Sequence, residues 1–302
     1  MANVLVTGGA GFIGSELTRQ LLERGATVTV FDDFSVGRRE NVWPGVRAIR
    51  GDLRADRDLK KIQGVRFDAV YHLAALHFIP ACNRDPQGTL NVNVAGTQKL
   101  LAALSAGAPR ALFFASTAAV YPPTSVRHRE DGPIAPMDIY GVTKWMGEQL
   151  VRLFASEQPT ACVIGRLFNA YGPRETNPHL IPSLVAQLAA GAKVLKVGNR
   201  TPYRDYMHTH DMAGAIVRLI RKAKKGEPTV VNIGSGSEHS VDEVIQGLLR
   251  HHGARVRVVT DPTLKRKVER KHLRPHLAKL RSMVGEVPCI PFETGLEALL
   301  VR

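Results

Sequence analysis

Cysteine is scarce: the 302-residue chain has three, Cys82, Cys162 and Cys289, far apart and without a C-x-x-C pair. That spacing speaks against a disulfide framework or a zinc site and fits free thiols in a reducing compartment. No run approaches the roughly 18 uninterrupted apolar residues of a membrane span. The opening MANVLVTGG lacks a basic region followed by an apolar stretch and a cleavage site, so a cytoplasmic protein is expected. Internal repeats and low-complexity tracts are missing as well. Acidic residues are few, 27 against 41 Lys and Arg, which leaves a net charge of +14. The basic residues crowd between Arg250 and Arg281. Such an excess asks for an anionic partner, yet the stretch has no interleaved aromatics of the kind that stack single-stranded bases. A phosphorylated small ligand would use only a few of these charges, and nucleic acid is not the expected partner.

What is present is an ordinary globular composition, 44% hydrophobic and 23% charged, in a chain long enough for one large domain or two moderate ones. The first half alternates short β-branched runs with helical spacing, the signature of strand-helix units building a parallel sheet. NVLVTGG, TVTVFDD, VRAIRGD, DAVYHLAA, ALFFAS and ACVIGRLFN read as strands. GSELTRQLLERG, the segment from about Gln87 to Ala106, and the segment around Tyr140 read as helices. After Asn169 the composition turns to prolines and loops, with YGPRETNPHLIP. The division expected is a cofactor domain over 1–166, with a later return near 206–234, and a substrate domain over 167–302.

TGGAGFIG, residues 7 to 14, follows a strand and opens a helix. Gly8, Gly11 and Gly14 in that place allow a tight turn and close approach of a pyrophosphate, and the helix N-terminus supplies amides and positive dipole. About 20 residues on, at the end of the second strand, Asp32 with Asp33 beside it would accept hydrogen bonds from ribose hydroxyls and repel a 2′-phosphate, favouring NAD over NADP. Asp52 ends the third strand, placed for an adenine edge. Leu73, Ala74 and Ala75 end the fourth, placed to flank a nicotinamide ribose.

In DIYGVTKWMGE, Tyr140 and Lys144 stand four apart, on one helix face about 5–6 Å apart at Cβ. A free phenol, with a pKa of about 10, is a poor base at neutral pH, and a neighbouring ammonium favours the phenolate. Tyr-x-x-x-Lys alone is uninformative. TGGAGFIG, Asp32, HLAA, STAAVY, YGVTK, GRLFNAYGPR, TPYRDYMHTHDMAGA and VNIGSGSEHSV, in this order, resemble the extended short-chain dehydrogenase/reductase family over nearly the full length. The likeness is to its NAD-dependent sugar-nucleotide epimerases and dehydratases in particular.

The resemblance implies a Rossmann-type doubly wound α/β parallel sheet with a smaller α/β C-terminal domain that binds a nucleotide sugar. It implies Tyr140 as base, Lys144 as its pKa-lowering partner, and Thr117 as the hydroxyl bonding the reacting sugar oxygen. NAD contacts are implied at Gly8, Gly11, Phe12, Ile13, Gly14, Asp32, Asp33, Ser35, Asp52, Leu53, Leu73, Ala74, Ala75, Asn93 and Phe168, besides Tyr140 and Lys144. Substrate contacts are implied at His77, Asn169, His179, Leu180, Arg204, Arg266 and Glu269, besides Thr117. A homodimer is implied through the 87–106 and Tyr140 helices, paired as a four-helix bundle.

Within that family, dehydratases and decarboxylating relatives carry an acid one or two residues after the threonine. Here stand Ala118 and Ala119, which can neither donate nor accept a proton, so elimination of water is disfavoured. Epimerisation at C4 with recycled NAD is the expected activity. Reduction of a nucleotide-linked ketosugar and a non-enzymatic NAD- or RNA-binding role remain as alternatives. The tail DPTLKRKVERKHL is more similar to GDP-sugar enzymes than to UDP-galactose epimerases, so the nucleotide stays open. His208 and His210 in MHTHD have no carboxylate-rich surroundings in sequence, and no metal is expected.

Overall fold

β-Branched and aromatic runs form the strands of a seven-stranded sheet in the computed structural model, which describes residues 1–253, 255–264 and 270–300. The chain order begins β1 (Asn3–Thr7), α1 (Phe12–Glu23), β2 (Thr27–Asp32), β3 (Arg47–Arg50), α2 (Asp56–Leu59) and β4 (Ala69–His72). It continues with α3 (Ile79–Arg84), α4 (Pro86–Leu90), α5 (Thr97–Ser105), β5 (Ala111–Thr117), α6 (Ile139–Glu157), β6 (Ala161–Leu167) and β7 (Asn169–Tyr171). Then come α7 (Leu180–Ala189), β8 (Val194–Val197), β9 (Tyr203–His208), α8 (Thr209–Ile220), β10 (Thr229–Ile233) and β11 (Glu238–Ser240). The last described elements are α9 (Val241–His252), β12 (Arg257–Thr260), α10 (Ala278–Val284) and α11 (Phe292–Ala298).

The large sheet runs β3-β2-β1-β4-β5-β6-β10, and every pairing in it is parallel. The order reverses between β1 and β4, the switch point at which such sheets open a crevice beyond their carboxyl ends. The strands read as continuous apolar runs because both faces are covered. Val4 and Val6 of β1 point into the core beneath α1 and α8, while Leu5 between them joins the core beneath α5 and α6. β10, the TVVNI run near residue 230, pairs with β6, so the chain returns to the first sheet after leaving it.

Beyond β6 a smaller layer forms around a second apolar cluster, including Ile181, Leu184 and Leu188 of α7 and Val244 and Leu248 of α9. Its strands make a three-stranded sheet β11-β9-β7 and a parallel pair β12-β8. The helix expected from about Gln87 to Ala106 is interrupted: residues Asn91–Gly96 form a π-helical turn between α4 and α5. A π turn inserts a residue and rotates the helix beyond it, which here buries Asn93.

The three cysteines are free thiols, Cys82 and Cys162 buried and Cys289 exposed. No helix among the described residues is long and apolar enough to cross a membrane.

Candidate active site

One cavity of about 990 Å³ lies across the carboxyl ends of β1 to β6 and reaches under the smaller layer. Its first wall is the glycine loop. Gly8 adopts φ +73°, and a Cβ there would stand 2.7 Å from the Ala74 backbone nitrogen at the end of β4. A Cβ on Gly14 would stand 2.0 Å from the Gly8 carbonyl, so α1 can approach its own loop only with glycine at that point. The cap residue Gly11 gives α1 no side-chain hydrogen bond, and Phe12, Ile13 and Gly14 line the cavity, so the first turn presents backbone amides to it.

Asp32 is buried at the end of β2, where its Oδ2 accepts from the Ala10 amide (3.0 Å) and its Oδ1 from the Phe34 amide (2.9 Å). Burial pushes its carboxyl up, and the two amides pull it back. Each oxygen keeps a further lone pair for a ligand hydroxyl. Asp33 is turned to Ser35, accepting from its amide (2.8 Å) and hydroxyl (2.7 Å). Asp52 is held by Arg54 at 2.7 Å, which keeps its carboxyl below the usual range. Asp33, Ser35, Asp52, Leu53, Leu73, Ala74, Ala75 and Phe168 all line the cavity.

Asn93 does not. Its Oδ1 accepts from the Leu76 amide (2.8 Å), and its Nδ2 donates to the Leu76 carbonyl (2.9 Å) and the Thr143 hydroxyl (3.0 Å). The π turn aims it inward, where it ties the loop after β4 to α6 and braces the cavity wall from behind.

At the centre of the cavity stand Thr117, the last residue of β5, and Tyr140 and Lys144 on α6. Asp138 caps α6, accepting from the Gly141 amide at 2.8 Å, and this sets the first turn that carries Tyr140. Thr117 lies close enough to the Tyr140 phenol to favour its ionised form. Lys144 is 3% exposed, its Nζ 4.3 Å from the centre of the Phe114 ring.

The electrostatics differ from the sequence expectation. Burial raises the Tyr140 phenol above its ordinary value, and Thr117 opposes that only in part. Burial also brings the Lys144 ammonium down to about 7, with Glu148 pulling it back up. At the phenol, desolvation therefore outweighs what its surroundings do to favour the phenolate.

On the substrate side, His77, Asn169, His179, Leu180 and Arg204 line the same cavity. Asn177 Nδ2 meets His77 Nε2 at 2.9 Å, and the His179 ring packs against His77 (5.8 Å) and Phe78 (5.5 Å). Burial, with His179 and Lys144 nearby, pushes His77 down to about 4, so it is neutral. Arg204 Nη1 donates to the carbonyls of Tyr203 and Arg270, both at 2.7 Å, which orients the guanidinium at the cavity edge. Arg266 and Glu269 lie outside the described residues. His208 caps α8 through the His210 amide (3.2 Å), and His210 lies 3.0 Å from Glu16. The described residues contain no group of three or more His, Cys, Asp or Glu able to hold a metal ion.

The sequence profile of the NAD dependent epimerase/dehydratase family matches residues 4–234. The chain belongs to that family. UDP-glucose 4-epimerase of Corynebacterium glutamicum is 36% identical over 80% of this chain and 78% of its own. The crystal structure of UDP-glucose 4-epimerase from Thermus thermophilus with NAD superposes with a TM-score of 0.89, at 29% identity over 99% of this chain and 97% of that one. MoeE5 has been solved with UDP-glucose and NAD (TM-score 0.87, 29% identity, 99% and 97% coverage). It has also been solved with UDP-glucuronic acid and NAD (TM-score 0.84, 29% identity, 97% and 96% coverage).

As an NAD-dependent sugar-nucleotide epimerase of the extended short-chain dehydrogenase/reductase type, the chain takes NAD as cofactor. The residues fit that group: the cradle that a Cβ at Gly8 or Gly14 would fill, the uncapped first turn of α1, and the Asp32 carboxylate form one continuous wall.

Family membership also directs attention to residues that sequence reasoning passed over. Asp138, Glu175, Thr176 and Arg270 line the cavity. Arg270 Nη2 donates to the Ala119 carbonyl (3.1 Å), and its Nη1 lies 3.8 Å from Asp138, so it joins the β5 loop to the cap of α6. Asp138 was legible as an Asp three residues ahead of a glycine at a helix start. Arg270 was not, because its partners lie more than a hundred residues away.

Proposed function

We propose that this chain epimerises a UDP-hexose at C4, with Tyr140 as the group that moves the proton on the C4 oxygen. What carries the reading is the convergence of Thr117, Tyr140 and Lys144 in one cavity, next to Ala118 and Ala119. The pair of alanines supplies no second acid or base, so the site moves one proton and one hydride at a single carbon and lacks the group needed to expel water. Glycine-loop amides and Asp32 hold the cofactor, and Asn169, His179, Leu180 and Arg204 are the proposed holders of the nucleotide sugar. NAD held by these residues would supply reversible hydride transfer at the sugar carbon. Thr117 keeps the reacting oxygen next to the phenol, and Lys144 stands one helix turn along the same face.

A denaturation and turnover assay tests this. The purified protein is expected to release NAD on denaturation and to convert UDP-glucose into an isomer of equal mass with no cofactor added. A product lighter by one water overturns the reading, and strict dependence on added NADPH replaces it with ketosugar reduction.

The same family reading supports a homodimer through α6 and the α4–α5 segment, in line with the exposure of Trp145 (39%), Met146 (37%) and Leu153 (56%) on α6. Trp145 and Leu153 are eight residues apart and share a face. A Leu153→Glu variant is expected to elute as a monomer in size-exclusion light scattering where the wild type elutes as a dimer; an unchanged mass sinks this interface.

A further inference from the structure

Glu175 and Thr176 open the loop between β7 and α7, and both border the cavity. The Glu175 side chain is 5% exposed. Its Oε1 and the adjacent Thr176 Oγ1 are both buried without a hydrogen-bond partner. Two neighbouring buried polar atoms left unmet on a cavity wall are costly, and a wall keeps them when a ligand meets them. Glu175 Oε1 lies 3.3 Å from His179 Nδ1, an ion pair whenever that imidazole is charged, and burial raises the Glu175 carboxyl while His179 and the Asn177 backbone oppose the rise. His179 packs on His77, which lies within electrostatic reach of Lys144. The two orphaned atoms therefore share a stretch of cavity wall with His179 and His77. Among the described residues no Lys or Arg forms an ion pair with Glu175; the guanidinium of neighbouring Arg174 instead lies 3.9 Å over the Trp43 ring.

We propose that Glu175 and Thr176 form a sugar-recognition pocket that accepts a hydroxyl or amino substituent of a hexose and rejects the carboxylate of a hexuronate. The inference rests on the epimerase reading above and specifies its substrate class. An ionised carboxylate is an acceptor only, so it pairs with a sugar O–H or N–H. Thr176 completes the site, since its hydroxyl can donate to or accept from the same substituent. A uronate would set a second carboxylate beside Glu175, which forms no ion pair with Lys or Arg among the described residues, losing its hydration for a like charge.

Calorimetric titration of the NAD-loaded protein with UDP-glucose, UDP-glucuronate and UDP tests the pocket. The wild type is expected to bind UDP-glucose at least about tenfold more tightly than UDP-glucuronate. Glu175→Gln, equal in shape and able to donate an amide to a carboxylate, is expected to bring that ratio near one while leaving the affinity for UDP unchanged. Thr176→Val is expected to weaken UDP-glucose about fivefold relative to UDP, which tests the pocket separately should the Gln variant fail to fold. Equal wild-type affinities for the two sugars, or a ratio unmoved in Glu175→Gln with UDP binding intact, overturn the pocket alone. Failure of the wild type to bind UDP-glucose or UDP overturns the epimerase reading together with it.

Discussion

Replacing Tyr140 with phenylalanine is expected to lower kcat for UDP-hexose epimerisation about 10²- to 10⁴-fold, the span that a positioned general acid-base group contributes. NAD content and affinity for UDP are expected to stay near wild type, because the ring keeps its volume and only the oxygen is lost. The expectation rests on where that oxygen sits. It stands beside Thr117 at the end of β5, and burial raises its phenol while Thr117 opposes that rise. The oxidising half-reaction needs that oxygen as phenolate to take the sugar proton, and the reducing half-reaction returns the proton from the phenol. Lys144, brought down to about 7, carries its charge below that pH and loses it above. Turnover that requires the ammonium is then expected to decline as pH rises through about 7, which a pH profile of kcat reads. Retention of more than about a tenth of wild-type kcat in Tyr140→Phe, against the hundredfold minimum for such a group, would assign the proton to another residue.

Much of this site is legible in the sequence because it is built from local signals. A strand followed by TGGAGFIG and a helix specifies its own backbone geometry, and the β-branched runs of β1, β2, β4 and β6 announce a sheet buried on both faces. Tyr140 and Lys144 share a helix face by spacing alone. The features that stay hidden depend on partners far away in the chain or on the degree of burial. Asn93 has the position of a cofactor contact, yet the π turn at Asn91–Gly96 points it at Leu76 and Thr143. No hydrophobic pattern marks a π turn in advance, because the inserted residue leaves composition and spacing on either side intact. The sign of the Tyr140 shift departs from expectation for a similar reason: a charge four residues away is visible in sequence, whereas the depth of the cavity floor is not. Glu175 could be seen only as a charged residue in a proline-rich loop until the structure showed its Oε1 buried without a hydrogen bond.

The second large effect concerns a pair that sequence reasoning did not single out. Glu148 continues the Tyr140 and Lys144 row by one more turn of α6, and Arg166 stands on β6 beside Ser116 of β5. Their side chains are 1% and 4% exposed and meet through two bonds, Nε to Oε1 at 2.9 Å and Nη2 to Oε2 at 2.8 Å. Ser116 donates to Glu148 at 2.5 Å, and Arg166 Nη1 reaches the Tyr121 hydroxyl at 2.9 Å. Tyr121 in turn donates to Asn232 of β10 at 2.7 Å. The network pins α6 to three strands directly behind the reacting groups. Glu148→Ala or Arg166→Met is expected to cost about 3–5 kcal/mol in urea unfolding, since either leaves a buried charge without its partner. The double variant Glu148→Leu/Arg166→Met is expected to recover much of that stability, because no lone charge remains. It is not expected to recover turnover: Lys144 loses the carboxylate that favours its ammonium, and Ser116, next to Thr117, loses its acceptor. Single variants that lose less than about 1 kcal/mol would place the pair in contact with water and remove the argument from burial. A double variant with full kcat would show that Lys144 keeps its charge without Glu148, leaving the pair a role in holding α6 to the sheet and none in the chemistry.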